Sequence, residues 1–372
     1  MKRNYVMMAM AAAMLASCAQ TGLVEEIAEE PQKAIGFSTF VDKATRADGG
    51  DNTTNLHDYY TTFNVYGWKY VNSNCTPVFV NVTNEYFTTN TNGTTIYQSS
   101  LPQSEWTFVD NKWYYENVRY WDKLADKYQF CAYAPITAST HVTATSDGEI
   151  NIGDNAGDRP IKVDDKNLQE TPSLERKYTG FETDYMTATA ETTTKSGEVS
   201  LVFTHELAKL NVKIQKQHTY TSAQALNVTN FKILNLNNEG AYTRTTRGDS
   251  WEVHPSSSEG VYEMKVAELD LKNQSGYYVI EQLLLPQSIT KVTAASSITE
   301  FNEACVHITY KVGTEVFDGY YALSNIFDSS AAEFSFEGGK EYTLTITVGP
   351  EPIQFTTSVE QWTAGTGSYT IQ

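Results

Sequence analysis

Hydrophobic and polar residues alternate with a period of two from Val199 onward. Val199, Leu201, Phe203, His205 and Leu207 share one parity, and Ala208, Leu210, Val212 and Ile214 take the other. Period two marks a β-strand with one buried face. A strand cannot exchange faces without an extra residue, so this stretch predicts either a β-bulge near Leu207-Ala208 or a strand passing from one sheet to another. Similar alternation predicts strands at 35–41, 63–70, 78–82, 96–98, 114–120 and 128–133, and again at 231–234, 261–266, 277–284, 306–312 and 342–348. In the first of these, Ile35, Phe37, Thr39 and Val41 form one face and Gly36, Ser38, Phe40 and Asp42 the other. In the last, Tyr342, Leu344, Ile346 and Val348 oppose three threonines. Asn92-Gly93 suits a tight hairpin turn. No amphipathic helix exceeds a turn or two, so many short strands with turn signals between them predict an all-β sandwich architecture.

Polar stretches divide this pattern. The residues from Thr137 to Asp184 are rich in Gly and Asp and read as loops, and 191–198 (Glu-Thr-Thr-Thr-Lys-Ser-Gly-Glu) reads as an interdomain linker. A first domain over 47–190 and a second over 199–372 follow. Before them, Lys2 and Arg3 precede an uncharged run from Val6 to Ala16 that ends in Leu15-Ala16-Ser17-Cys18. A membrane-spanning helix needs about 20 apolar residues, whereas this run suits the core of a secretory signal with small residues before the cut. Leu-Ala-Ser-Cys resembles the lipobox of bacterial lipoproteins. That resemblance implies removal of residues 1–17 between Ser17 and Cys18, and lipidation of Cys18 to anchor the chain to the outer membrane. Residues 18–33 carry Glu25, Glu26, Glu29 and Glu30 without a strand pattern and read as a flexible tether.

The chain has 372 residues, enough for two domains, with 27 Lys and Arg against 45 Asp and Glu. Such acidity without a basic run excludes nucleic acid as a partner and suits a solvated exterior. Beyond Cys18 only Cys75, Cys131 and Cys305 remain, and no disulfide framework is implied. Cys131 and Cys305 lie in apolar strand-like contexts and read as small buried hydrophobes, while Cys75 lies in a polar loop. Abundant Tyr, Thr, Val and Phe make this a β composition.

No catalytic constellation emerges. His205-Glu206-Leu207-Ala208-Lys209 begins like a zincin helix, yet Lys209 stands where a second histidine is needed. The six histidines have no metal-ligand spacing, and there is neither a Gly-x-Ser-x-Gly elbow nor a phosphate-binding loop. Ser288 and Lys291 match Ser-x-x-Lys without that motif's partner sequences. We therefore expect no enzyme, metal or cofactor. Trp68, Trp106, Trp113, Trp121, Trp251 and Trp362 would suit sugar stacking, although most lie in or beside strands and read as core.

Several segments in order resemble landmarks of the fimbrillin family of Bacteroidetes. They are Ala34-Ile35-Gly36-Phe37 through Thr45-Arg46-Ala47, Val118-Arg119-Tyr120-Trp121 with Phe130 to Pro135, Asp184 to Ala188, Val199 to Leu210, Leu284 to Gln287, and Gly339 to Trp362. The resemblance implies two tandem transthyretin-like β-sandwich domains of mainly antiparallel strands, and a structural or accessory subunit of type V fimbriae. It further implies that an arginine-specific surface protease cuts after the first strand, here at Arg46-Ala47, releasing residues 34–46 with Ile35, Phe37 and Val41. A strand from another fimbrial subunit would then fill the groove, in a homo- or hetero-polymer that adheres to a host or bacterial surface receptor. Residues up to Arg46 hold five basic and five acidic side chains, so the totals of 27 and 45 become 22 and 40 in the remaining body, still a net of −18. The donor would come from 353–372, where Ile353, Phe355, Val359, Tyr369 and Ile371 are apolar. The same tail could complete the chain's own sheet. The second reading left open is a glycan-binding surface lipoprotein associated with nutrient uptake.

Overall fold

The structure is a computed structural model that describes residues 33–41, 55–89, 95–97, 111–136, 142–144, 149–152, 161–162, 184–220, 224–245, 248–254, 260–264, 266–271, 276–291, 303–327 and 332–361. The first half contains β1 (Gly36–Val41), β2 (Thr62–Val71), β3 (Asn74–Thr89), β4 (Thr95–Tyr97), β5 (Asn111–Tyr114) and β6 (Lys127–Ala134). Three short strands follow, β7 (Val142–Ala144), β8 (Glu149–Ile152) and β9 (Ile161–Lys162), and then β10 (Met186–Thr192) and β11 (Glu198–His205). The second half begins with β12 (Ala208–Lys216), β13 (Leu226–Leu236), β14 (Glu239–Thr245), β15 (Gly248–His254), β16 (Gly260–Glu263) and β17 (Leu269–Asp270). It continues with β18 (Tyr277–Leu284), β19 (Gln287–Thr290), β20 (Cys305–Val312) and β21 (Glu315–Ala322), and ends with β22 (Glu333–Phe336), β23 (Lys340–Val348) and β24 (Gln354–Gln361). The α-helix α1 (Leu323–Phe327) has five residues. The fold is all-β, as the periodicity predicts.

The first sheet runs β1-β11-β10-β6-β2-β3-β4, with β5 on β3. Strand β6 sits inside it and is buried on both faces, which is why Phe130-Cys131-Ala132-Tyr133-Ala134 reads as a continuous apolar run. Its even positions Tyr128, Phe130, Ala132 and Ala134 enter the first core with Ile35, Phe37, Phe63, Phe79, Leu201 and Phe203. In the second half, the sheets β18-β12-β23-β24 and β16-β13-β20-β21 share another core that includes Leu210, Val212, Ile233, Ile308, Tyr342 and Leu344. Among the described ladders only β1 with β11 and β12 with β23 are parallel.

The chain passes between the two cores at Glu206-Leu207. Of the alternatives posed by the parity change, the strand crosses from one sheet to another: β11 belongs to the first sheet and β12 to the second. The linker expected at 191–198 is corrected by the same pairing. Residues 193–197 turn β10 back onto β11, with Met186 opposite His205, inside the first sheet, and Val199, Leu201 and Phe203 complete the first core. The polarity of that turn reflects solvent exposure rather than a domain boundary.

Three other expectations change. The segment 137–184 is not only loop, because β8 and β9 pair with β14 from the second half and build a sheet from both halves, β15-β14-β8-β7 with β9 on β14. Cys75 is exposed but lies in β3, opposite Tyr70. The strand expected at 114–120 ends at Tyr114, and Asn117 adopts a left-handed conformation at φ 57° that extended pairing does not accommodate. Cys131 and Cys305 are fully buried thiols, as expected.

A third cluster joins the halves, with Tyr66, Trp68, Tyr133 and Tyr185 packed with Leu207, Tyr242, Leu283 and Leu285. Close to the crossing, Lys209 occupies the position that would have held a zincin histidine. Its Nζ lies 2.7 Å from Glu281 Oε1 and 3.7 Å from Glu341 Oε1, with all three side chains buried. Removing one partner of a buried ion pair costs about 3–5 kcal/mol because the remaining charge stays desolvated. Lys209→Met should therefore lower stability by about that amount in chemical denaturation; a loss within about 0.5 kcal/mol would show that the carboxylates are neutralised otherwise.

Candidate functional site

Strand β1 is an edge strand whose inward residues are nearly all apolar, and it forms the most distinctive site in the molecule. It runs parallel to β11 in the register Phe37 to Val199, Thr39 to Leu201 and Val41 to Phe203. Ile35, Phe37, Thr39 and Val41 are 1%, 5%, 1% and 1% exposed, so the strand is an integral part of the core despite its edge position. Phe37 meets Phe63, Phe79 and Phe130 edge-on at ring-centroid distances of 6.3, 5.6 and 5.5 Å, the arrangement favoured by ring quadrupoles.

The far side of β1 is held by the segment after β5. Ile35 N donates to Arg119 O at 2.8 Å, Tyr115 OH donates to Ile35 O at 2.6 Å, and Ala34 bridges Tyr120. Val118 and Tyr120, each about half exposed, flank this contact. Thr39, the polar member of the inward face, receives a hydrogen bond from Trp113 Nε1 and donates one to Asn55 Oδ1, both at 2.9 Å. Taking β1 away would leave a groove with β11 on one side, 115–120 on the other, and a floor of phenylalanines. Its backbone edge would then be open to another strand.

The predicted site residues fall into three groups. Ile35, Phe37 and Val41 fill the slot between β11 and 115–120. Ser17, Cys18, Arg46, Ala47, Tyr369 and Ile371 lie outside the described residues, as do Trp106, Trp362 and the Asn92-Gly93 turn. Ile353, Phe355 and Val359 lie on or beside β24, which pairs antiparallel with β23 and completes the chain's own sheet. Ile353 and Phe355 pack against the second core, while Val359 is 48% exposed, so this edge strand is held less deeply than β1. Trp68 and Trp121 are buried, whereas Trp113 and Trp251 are half-buried.

Sequence reasoning missed the roles of Asn55, Trp113 and Tyr115 around β1. Asn55 carried a local signal, since Asn before a helical turn is a common N-cap, and its Oδ1 also accepts from His57 N. It also missed a polar network at the crossing. His205 Nδ1 lies 2.8 Å from Asp184 Oδ2, and both side chains are buried. Glu206 Oε1 accepts hydrogen bonds from Thr187 and Thr204. Burial nevertheless holds the Glu206 carboxyl above the usual carboxylate range, and hydrogen bonds from Thr187 and Tyr242, with the nearby charge of Arg244, only partly offset it.

The profile of the fimbrillin-like family matches residues 45–362. The chain belongs to the fimbrillin-like family. This fimbrillin-like chain is 23% identical to the fimbrium subunit Fim1C of Phocaeicola vulgatus, with 98% of this chain and 97% of the relative covered. A solved fimbrial protein from Bacteroides vulgatus superposes with a TM-score of 0.53 at 16% identity, covering 89% of this chain and all of the other, which supports the fold. The family is one of fimbrial subunits associated with the cell surface.

Phe37→Ala in the uncut chain should cost about 3–5 kcal/mol in denaturation, as large-to-small changes do in an aromatic core. Val359→Ala, at a half-exposed edge, should stay below about 1 kcal/mol. Equal losses would mean that β1 is not integral to the core. Glu206 gives a pH signature: with its folded pKa raised above the ordinary value of 4.5, stability falls as pH rises from about 4.5 through the folded pKa. Glu206→Gln keeps an acceptor for both threonines and should raise the melting temperature at pH 7 but not at pH 4. An unchanged value at pH 7 would contradict the assignment.

Proposed function

We propose that this fimbrillin-like chain is a type V fimbrial subunit, exported as a lipoprotein on Cys18 and matured by an arginine-specific cut at Arg46-Ala47. Residues 34–46 then leave with β1, and the groove accepts the C-terminal segment of another subunit. The polymer serves adhesion at the outer surface. The observation that carries this reading is the position of β1. A deeply buried strand sits at a sheet edge, and its forward link to the body runs through residues 42–54, which include Arg46. Among the described residues no helix is long and apolar enough to cross a membrane; in this reading lipid on Cys18 supplies the attachment.

The donor role falls on Ile353, Phe355 and Val359, with Tyr369 and Ile371 beyond. In the single chain the first three pack in their own edge strand, so donation requires β24 to leave β23. That exchange trades a partly exposed edge for a buried groove.

Limiting trypsin applied to the detergent-solubilised full-length protein tests the reading. Cleavage at Arg46 should yield a ladder of stable oligomers on unheated gels, and Arg46→Ala should remain monomeric under the same treatment. A cut chain that stays monomeric and is retarded by a polysaccharide affinity gel would favour the glycan-binding alternative and overturn the fimbrial one.

A further inference from the structure

β1 and β24 carry the same inward side chains. Ile35, Phe37, Thr39 and Val41 are matched at identical spacing and in the same chain direction by Ile353, Phe355, Thr357 and Val359. Ile35 and the β1 residues Phe37, Thr39 and Val41 are at most 5% exposed, whereas in β24 Phe355 and Thr357 are half-buried and Val359 is exposed. The C-terminal strand therefore repeats the template of the slot without its burial.

Among the described residues, Thr39 is the polar side chain of the strand's inward face, and the two side chains that bond its hydroxyl are held rigidly. The Trp113 ring is held edge-on by Phe63 at 4.8 Å and by Tyr86 at 5.2 Å, which fixes its Nε1–H toward Thr39. Asn55 is fixed by capping the 3-10 turn Leu56–Asp58. One aims a donor and the other an acceptor at the same point, and a hydroxyl satisfies both. Both residues follow Arg46 in the chain, so both remain when β1 departs.

We propose that Trp113 and Asn55 form a hydroxyl-reading key in the β1 slot, and that the strand fitting it is Ile353–Val359 of a second copy of this chain, with Thr357 opposite the key. This rests on the fimbrial reading for the identity of the occupant. The key sets register: a one-residue slip turns the apolar face outward. A two-residue slip keeps the face but puts Phe355 or Val359 against the donor and acceptor, leaving buried polar groups unpartnered, which is costly. The incoming strand runs parallel to β11, with Thr357 opposite Leu201 as Thr39 is now.

The test uses the full-length chain cut at Arg46, with oligomer ladders as the readout. Thr357→Ser, which keeps the hydroxyl, should assemble like the parent. Thr357→Val, nearly the same shape without it, should assemble about tenfold less readily, and so should Trp113→Phe. The double variant should be no worse than either single one, because both remove the same interaction. Parent-like ladders from Thr357→Val, or additive losses in the double variant, would overturn the proposal. A second measurement needs no assembly: in the uncut chain, Thr39→Val should speed hydrogen exchange of the β1 amides about tenfold and Thr39→Ser should not. Equal exchange rates would overturn the key itself. No ladder from the cut parent chain would overturn the fimbrial reading and Thr357 as occupant together, with the key judged by exchange alone.

Discussion

The contact of Phe37 with Phe63, Phe79 and Phe130 joins an edge strand to a core otherwise built from residues beyond 55. Edge strands in most sheets are short, charged or covered, because an unpaired backbone edge invites unwanted partners. Here the inward face of the edge strand is almost fully buried. Its removal would expose both a row of backbone groups and an aromatic floor, so the same contact that stabilises the uncut chain defines what a replacement must supply. A single connection over 42–54 links that strand forward to the body, so the proposed cut at Arg46 would sever the link while leaving Asn55 in place.

The crossing at Glu206-Leu207 is the second constraint. Strands β11 and β12 are nearly continuous in sequence yet belong to different sheets, so the chain buries one parity before the crossing and the other after it. Polar groups are concentrated there: the Asp184–His205 pair, the Glu206 network and the Lys209 carboxylate cluster. They lie beside the point where the chain passes from one core to the next. The Glu206 network reaches across the halves through Thr187 and Tyr242, while Tyr66, Trp68, Leu207 and Tyr242 supply the apolar burial between them.

Period-two alternation was legible where one face is buried, as in β1, β11 and β23, whereas β6, buried on both faces, was legible as an apolar run. It failed where local polarity had another cause. The turn at 193–197 is polar because it is exposed, and it resembled a linker. The strands β8 and β9 are too short to show a period and exist because β14 pairs with them across the sequence. Tyr115 and Trp113 looked like members of a strand or core. Their roles against Ile35 and Thr39 come from hydrogen bonds spanning 80 and 74 residues, which leave no periodic trace.

Local order determined a good deal of this protein: the all-β class, the inward face of the first strand, and the change of parity at Leu207-Ala208. These follow from a one-dimensional pattern, since side chains on a strand alternate between its two faces. Tertiary structure alone decided that β1 lies at an edge, that β11 belongs to the first core, and that Trp113 and Asn55 meet at Thr39. The repeat of Ile-x-Phe-x-Thr-x-Val at 35–41 and 353–359 was present in the sequence throughout. It acquired meaning from burial, because two strands become interchangeable only when one occupies a slot whose shape and hydrogen bonds the other can reproduce.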